Sequence, residues 1–200
     1  MDLQALIDVN KLWYKIYPYT AEHALSVYGK KSGKVLEMGV FSGGISKYLA
    51  DTYKDFDQTI VTDDPAFTDA VAGWLKSEGI DKVKTFTAPL DSTPFNSDMF
   101  DLVILRGAFF FIRENPSILS EIYRILKPGG TGFVGGGFGK GVPDETIDEI
   151  KEESKIQNDN LGRVRVTISQ LQSIINTVKL DDKIKITEEG GVWLEIKKDM

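Results

Sequence analysis

The chain has 200 residues, 42% of them hydrophobic and 27% charged, which fits one soluble globular domain and excludes disordered, fibrous and collagen-like chains. Its 24 Lys and Arg against 30 Asp and Glu give a net charge of −6, so the chain as a whole has no attraction for nucleic-acid backbones or anionic membranes. It has no cysteine, which removes disulfides, thiolate nucleophiles and Cys-ligated zinc or iron–sulfur centres.

The first ten residues carry Asp2 and Asp8 and no basic n-region, so no signal peptide is expected. No run approaches 18 apolar residues, so no membrane span is expected and the expected location is cytoplasmic. Leu3, Leu6, Ile7, Leu12, Trp13 and Ile16 recur at helical spacing, and Pro18 is expected to break that helix. A second helix is predicted from Thr20, an N-cap type, to Gly29. Residues 1–30 thus form a helical N-terminal cap.

Strand and helix patterns then alternate. Strands are predicted at 34–39, 59–62, 82–87, 100–105 and 131–134. Helices are predicted at 42–53, 65–78 and 116–126, the last stopped by Pro128-Gly-Gly130. Two more helical segments, 144–155 and 167–178, precede strands at 183–187 and 192–197, which Glu188-Glu-Gly-Gly191 joins as a hairpin. This is an α/β pattern: a doubly wound, mostly parallel seven-stranded sheet with an antiparallel C-terminal hairpin. One domain spans 1–200, with a core at 34–139 and the closing hairpin at 183–197. The glycine-rich stretch Gly135–Gly141 reads as a flexible rim over the site; it fails as a P-loop at Val134 and Gly141.

Open sheets of this kind bind ligands at the carboxyl ends of the strands, beside the first strand-to-helix turn. That turn reads Glu37-Met-Gly39-Val-Phe41-Ser42-Gly43-Gly44. Against the dinucleotide fingerprint G-x-G-x-x-G, Gly39 and Gly44 match, but Phe41 stands where the second glycine admits a pyrophosphate. A nucleoside ligand without phosphate tolerates that side chain. The second strand ends at Asp63-Asp64, near the spacing of a ribose-binding acid. Asp63 is assigned to the ribose, and Asp64 either to the ribose or to the N-cap of the helix at Pro65.

With these residues the sequence resembles the class I S-adenosylmethionine-dependent methyltransferases, of the broad small-molecule domain group. The likeness runs from Lys34 to about Gly139, through Val35-Leu-Glu-Met-Gly39, Phe100-Asp-Leu-Val-Ile-Leu-Arg-Gly-Ala108 and Ser120-Glu-Ile-Tyr-Arg-Ile-Leu-Lys-Pro-Gly-Gly130. The resemblance implies a Rossmann-like methyltransferase fold and S-adenosylmethionine as cofactor. By it, Glu37 holds the methionine amino group, Gly39 to Gly43 pass under the methionine and ribose, and Asp63 takes the ribose hydroxyls. The loop Ala88-Pro-Leu90-Asp91 surrounds the adenine, and backbone at Arg106 and Gly107 lines the methionine. Two departures stand out: Phe41 for the family's middle glycine, and Pro89 where many members carry an acid.

The acidic charge balance points to a small-molecule acceptor, with no DNA and no membrane as partners. Trp13, Tyr14, Tyr17 and Tyr19, with Phe109-Phe-Phe111, supply aromatic faces for a substrate lid that tolerates a cation. His23, the one histidine, is the first candidate for a general base, with Tyr17, Tyr19 and Glu22 behind it. No metal site is expected. Alternatives are a non-catalytic S-adenosylmethionine-binding regulator, a protein or RNA methyltransferase, and a nicotinamide-dependent dehydrogenase, the last opposed by Phe41 and the terminal hairpin.

Overall fold

The structure is a computed structural model that describes residues 2–162 and 165–200. Strands β1 (Gly33–Met38), β2 (Phe56–Thr62), β3 (Lys84–Thr87), β4 (Phe100–Arg106), β5 (Leu126–Gly137), β6 (Ile184–Thr187) and β7 (Gly191–Lys197) form one sheet in the order β3-β2-β1-β4-β5-β7-β6. β1 to β5 pair in parallel, while β7 runs antiparallel to both β5 and β6. The order reverses between β1 and β4, so the crossovers on either side lead away from each other and leave a crevice at their carboxyl ends.

The apolar runs of the central strands follow from burial on both faces. Val35, Ile60, Leu102, Ile104 and Phe133 face the helices α1 (Leu3–Leu12), α2 (Tyr17–Tyr28), α3 (Gly44–Thr52) and α4 (Pro65–Ser77). Their chain neighbours Leu36, Val61, Val103, Leu105 and Val134 face α5 (Ser117–Ile125) and α7 (Ile168–Thr177). α5 shows the fit most simply: Ile118, Leu119, Ile122 and Ile125 form one buried stripe. Thr167 and Gln170 close a capping box at the start of α7, while α6 (Asp144–Asn160) buries only Ile150 and Ser154.

The N-terminal layer departs from expectation at Pro18. α1 ends at Leu12, a 3-10 turn covers Trp13–Lys15, and Pro18 lies in the first turn of α2. A missing N–H costs nothing there, so this proline starts a helix instead of breaking one. Thr20 is buried inside α2, and its hydroxyl meets the Ile16 and Phe138 carbonyls at 3.4 and 3.3 Å. The glycine-rich stretch is also corrected: Gly135–Gly137 is the end of β5, paired with β7, and not a flexible rim. A Cβ on Gly135 would lie 2.2 Å from the Val192 carbonyl oxygen, so glycine here permits close strand approach. Pairing of β4 with β5 jumps from Phe100–Leu126 to Leu102–Thr131, which places the expected Pro128-Gly-Gly130 turn inside the span of β5. Among the described residues no helix is long and apolar enough to cross a membrane.

Candidate active site

The turn after β1 is held from below by Glu37. This carboxylate is 1% exposed, and its Oε2 accepts from the Gly43 amide at 3.0 Å, the Ser46 amide at 2.9 Å and the Ser46 hydroxyl at 2.7 Å. These are the orphan donors at the start of α3, whose N-cap residue, Gly43, has no side chain to satisfy them. Glu37 is thus the cap of α3, a role its spacing alone did not disclose. Its Oε1 is buried without a partner. Burial raises the Glu37 pKa, against the lowering effect of those hydrogen bonds and of nearby Arg106.

Gly39 has φ +86 and Gly43 φ +109, conformations that glycine adopts readily. The Ser42 hydroxyl closes the turn on the Gly39 carbonyl at 2.6 Å. Phe41 is fully enclosed: its ring lies 5.2 Å from Phe110 and 6.4 Å from Phe111. A Cβ on Gly107, at φ +65, would lie 2.4 Å from the Phe41 ring. Phe41 and Gly107 therefore fit each other, the large side chain on one loop against the absent one on the next.

Two cavities open at the carboxyl edge of the sheet, with Phe110 between them. The first, about 540 Å³, is lined by Asp63, Ala88, Pro89, Leu90, Asp91, Phe110, Phe111 and Asn115. Asp63 is exposed at its wall, whereas Asp64 spends its carboxylate as the N-cap of α4, accepting from the Phe67 amide at 3.0 Å. Of the two roles the sequence offered Asp64, the one the structure shows is the N-cap of α4. Asp91 accepts from the Asn115 side-chain amide at 2.8 Å, which fixes its orientation. An acceptor at Asp63, apolar walls at Ala88 to Leu90 and a second acceptor at Asp91 suit the ribose and base of an adenosyl group.

The second cavity, about 460 Å³, is lined by Trp13, Arg106, Gly107, Phe109, Phe110, Gly136, Gly137, Phe138 and one face of α6. Trp13 stacks on Phe138 at 5.1 Å. The Arg106 guanidinium lies over Trp13, Tyr17 and Phe41 at 4.8, 4.9 and 5.3 Å, so the aromatic faces of the N-terminal layer already hold a cation of the protein's own. Arg106 Nη2 donates to the Tyr17 hydroxyl at 2.9 Å, which donates to Asn10 at 2.5 Å. The side chain of Arg106 thus adds to the backbone role expected of it, and Asn10 and Asn115 are new participants. A third cavity, about 500 Å³, lies between α1 and α4, with Ile7, Tyr14, Tyr17, Phe67, Val71 and Trp74 among its walls.

The base candidates fall apart spatially. Tyr17 is buried and its pKa is pushed up to about 12, so it stays protonated at neutral pH and serves as a hydrogen-bond link. His23 lines none of these three cavities. It packs edge-on against the stacked rings of Phe133 and Trp193, at 4.9 and 6.0 Å, and burial lowers its pKa. Glu22 accepts from Tyr48 at 2.9 Å and Tyr53 at 2.5 Å, tying α2 to α3. Tyr19 lies where its backbone meets Gly139, 2.9 Å from the position of a Cβ there.

Residues 36–134 match the family model of a methyltransferase domain. That stretch is a methyltransferase domain, in keeping with the resemblance to the class I S-adenosylmethionine-dependent methyltransferases. The chain's expected seven-stranded fold and its cofactor class, S-adenosylmethionine, stand with that resemblance. A crystal structure from Methanococcus maripaludis, proposed to be an S-adenosyl-L-methionine-dependent methyltransferase, superposes with a TM-score of 0.84 at 24% identity over 100% of this chain and 94% of that one. A SAM-dependent methyltransferase from Aquifex aeolicus gives a TM-score of 0.66 at 15% identity, over 98% and 97% of the two chains. At these identities the likeness concerns the fold. The Escherichia coli (strain K12) protein named "Uncharacterized protein YafE" is 26% identical over 131 residues, 63% of this chain and 62% of that protein's length.

Proposed function

We propose that the chain transfers a methyl group from S-adenosylmethionine to a small-molecule acceptor. The observation that carries this reading is the pair of cavities at the switch point, separated by Phe110: one suits an adenosine, and the other is enclosed by aromatic rings and is small. A cavity of about 460 Å³ is sized for a small molecule and not for a folded partner.

When bound, the cofactor supplies an electrophilic methyl carbon on a sulfonium. The chain's own residues do the rest. Asp63 offers its carboxylate to the ribose hydroxyls, Asp91 faces the base, and Glu37 Oε1 is the buried acceptor left for an ammonium group. Phe110, which borders both cavities and packs on the buried Phe41, keeps water from the path between them. Positioning of this kind supplies up to about 7–11 kcal/mol in displacement reactions. With Tyr17 protonated and His23 remote from the cavities, none of the candidate bases stands poised, which favours an acceptor that is nucleophilic without losing a proton first.

The test is release of S-adenosylhomocysteine on incubation with S-adenosylmethionine and fractionated metabolites, compared with protein and RNA fractions. Turnover confined to the small-molecule fraction is the expected result. Turnover only with protein or RNA would refute the small-molecule acceptor.

A further inference from the structure

We propose that Arg106 is the specificity residue of the second cavity, and that the acceptor carries a carboxylate on an apolar or aromatic body. This rests on the methyltransferase reading and adds the chemical class of its substrate.

Arg106 is 5% exposed and lines the second cavity. Among the described residues no carboxylate lies in ion-pair distance of it, and its one neutral partner is Tyr17. Its Nε is buried with no acceptor. Glu37 is close enough to feel the guanidinium's charge but makes no contact ion pair with it. A buried cation without a hydrogen-bonded counter-charge is costly, and the unsatisfied donor adds to that cost. The stacked rings of Trp13, Tyr17 and Phe41 fix the guanidinium plane and offset part of it, but rings accept no in-plane hydrogen bond. A carboxylate arriving in the cavity supplies both the charge and the acceptor, in the bidentate geometry arginine favours.

The rest of the cavity agrees in sign. Lys151, Lys155 and Arg165 stand at its exposed rim against one acid, Glu152. Lys151 is paired with Asp148 at 2.7 Å, while Lys155 and Arg165 have no acidic partner among the described residues. A chain of net charge −6 thus turns a local basic face to this opening, which draws an anion in. The four aromatic rings inside define the body of the ligand. The methionine carboxylate of the cofactor has the same chemistry, and Glu37, assigned to its amino group, is near Arg106. Arg106 lines the second cavity and not the first, so the acceptor is taken as the source, and the experiment separates the two.

The experiment is thermal unfolding of the full chain saturated with S-adenosylhomocysteine, titrated with phenylacetate and indole-3-acetate and, separately, with their neutral amides. The acids are expected to stabilise at concentrations at least about tenfold below the amides. Arg106→Gln should abolish that preference, and Arg106→Lys should keep part of it, having charge without the fork. Equal effects of acid and amide on the wild-type protein, or none from either acid, overturn the proposal without any variant having to fold. 5′-Methylthioadenosine, which lacks the amino-acid carboxylate, separates the two sources. If Arg106→Gln weakens S-adenosylhomocysteine about tenfold or more and spares methylthioadenosine, the partner is the cofactor and the proposal falls. If S-adenosylhomocysteine itself fails to stabilise the wild-type chain, the methyltransferase reading fails instead.

Discussion

Two adjacent carboxylates, Asp63 and Asp64, offer a clean separation of binding from folding. Asp64 accepts from the Phe67 amide and is the N-cap of α4. Asp63 stands exposed on the wall of the first cavity. Replacing an N-cap Asp by Ala costs about 0.5–2 kcal/mol. At about 2–4 °C per kcal/mol for a chain of this size, Asp64→Ala should lower the melting temperature by several degrees. It should leave affinity for S-adenosylhomocysteine within about threefold. Asp63→Ala should do the reverse. Hydrogen bonds to a charged acceptor are worth about 1.5–3 kcal/mol, so the dissociation constant should rise roughly ten- to a hundredfold at an unchanged melting temperature. Calorimetric titration with S-adenosylhomocysteine and thermal unfolding of both variants decide the matter. A larger affinity loss in Asp64→Ala than in Asp63→Ala would refute the division of labour.

Two further perturbations test the packing that shapes the site. Gly107→Ala places a Cβ in a left-handed conformation 2.4 Å from the Phe41 ring, so unfolding should show a loss of at least about 2 kcal/mol from strain and overpacking together; a neutral variant would mean Phe41 is free to move. His23 has a lowered pKa in the fold, so its neutral form is preferred there; stability is full above about pH 6.5 and is lost as pH falls from there toward its folded pKa. His23→Leu should remove that loss between about pH 7 and pH 5 in urea unfolding, and an unchanged slope would contradict the assignment.

Much of the fold was legible because central strands buried on both faces must be continuous apolar runs, as Phe100–Leu105 is. The hairpin was legible from Glu188-Glu-Gly-Gly191. The N-terminal layer was harder. Pro18 carries the same fixed φ whether it ends a helix or begins one, and only the preceding 3-10 turn distinguishes the two. Leu6, Val9, Ile16 and Ala21 are wholly buried in the core, so this layer is part of the fold and not a detachable cap. At the site, the sequence singled out Asp63 and the loop Ala88 to Asp91, which the structure brings together on the wall of the first cavity. The side-chain role of Arg106 was not legible: an arginine closing an apolar strand signals something buried and charged, but nothing local says that Trp13 and Tyr17, some 90 residues earlier, enclose it. His23 attracted attention by being unique, and a long-range contact with Phe133 and Trp193 explains it instead.

The central claim, that the switch-point crevice takes an adenosyl ligand of the methyltransferase cofactor, is tested most directly by thermal unfolding with S-adenosylhomocysteine and, in parallel, NAD. A ligand that binds only the folded state stabilises by about 2.7 kcal/mol at a hundred times its dissociation constant. For a chain of this length that is a rise of about 5–10 °C, growing with the logarithm of concentration. S-adenosylhomocysteine should produce that rise, and NAD, whose pyrophosphate must pass Phe41, should not. A rise with NAD and none with S-adenosylhomocysteine would contradict the account.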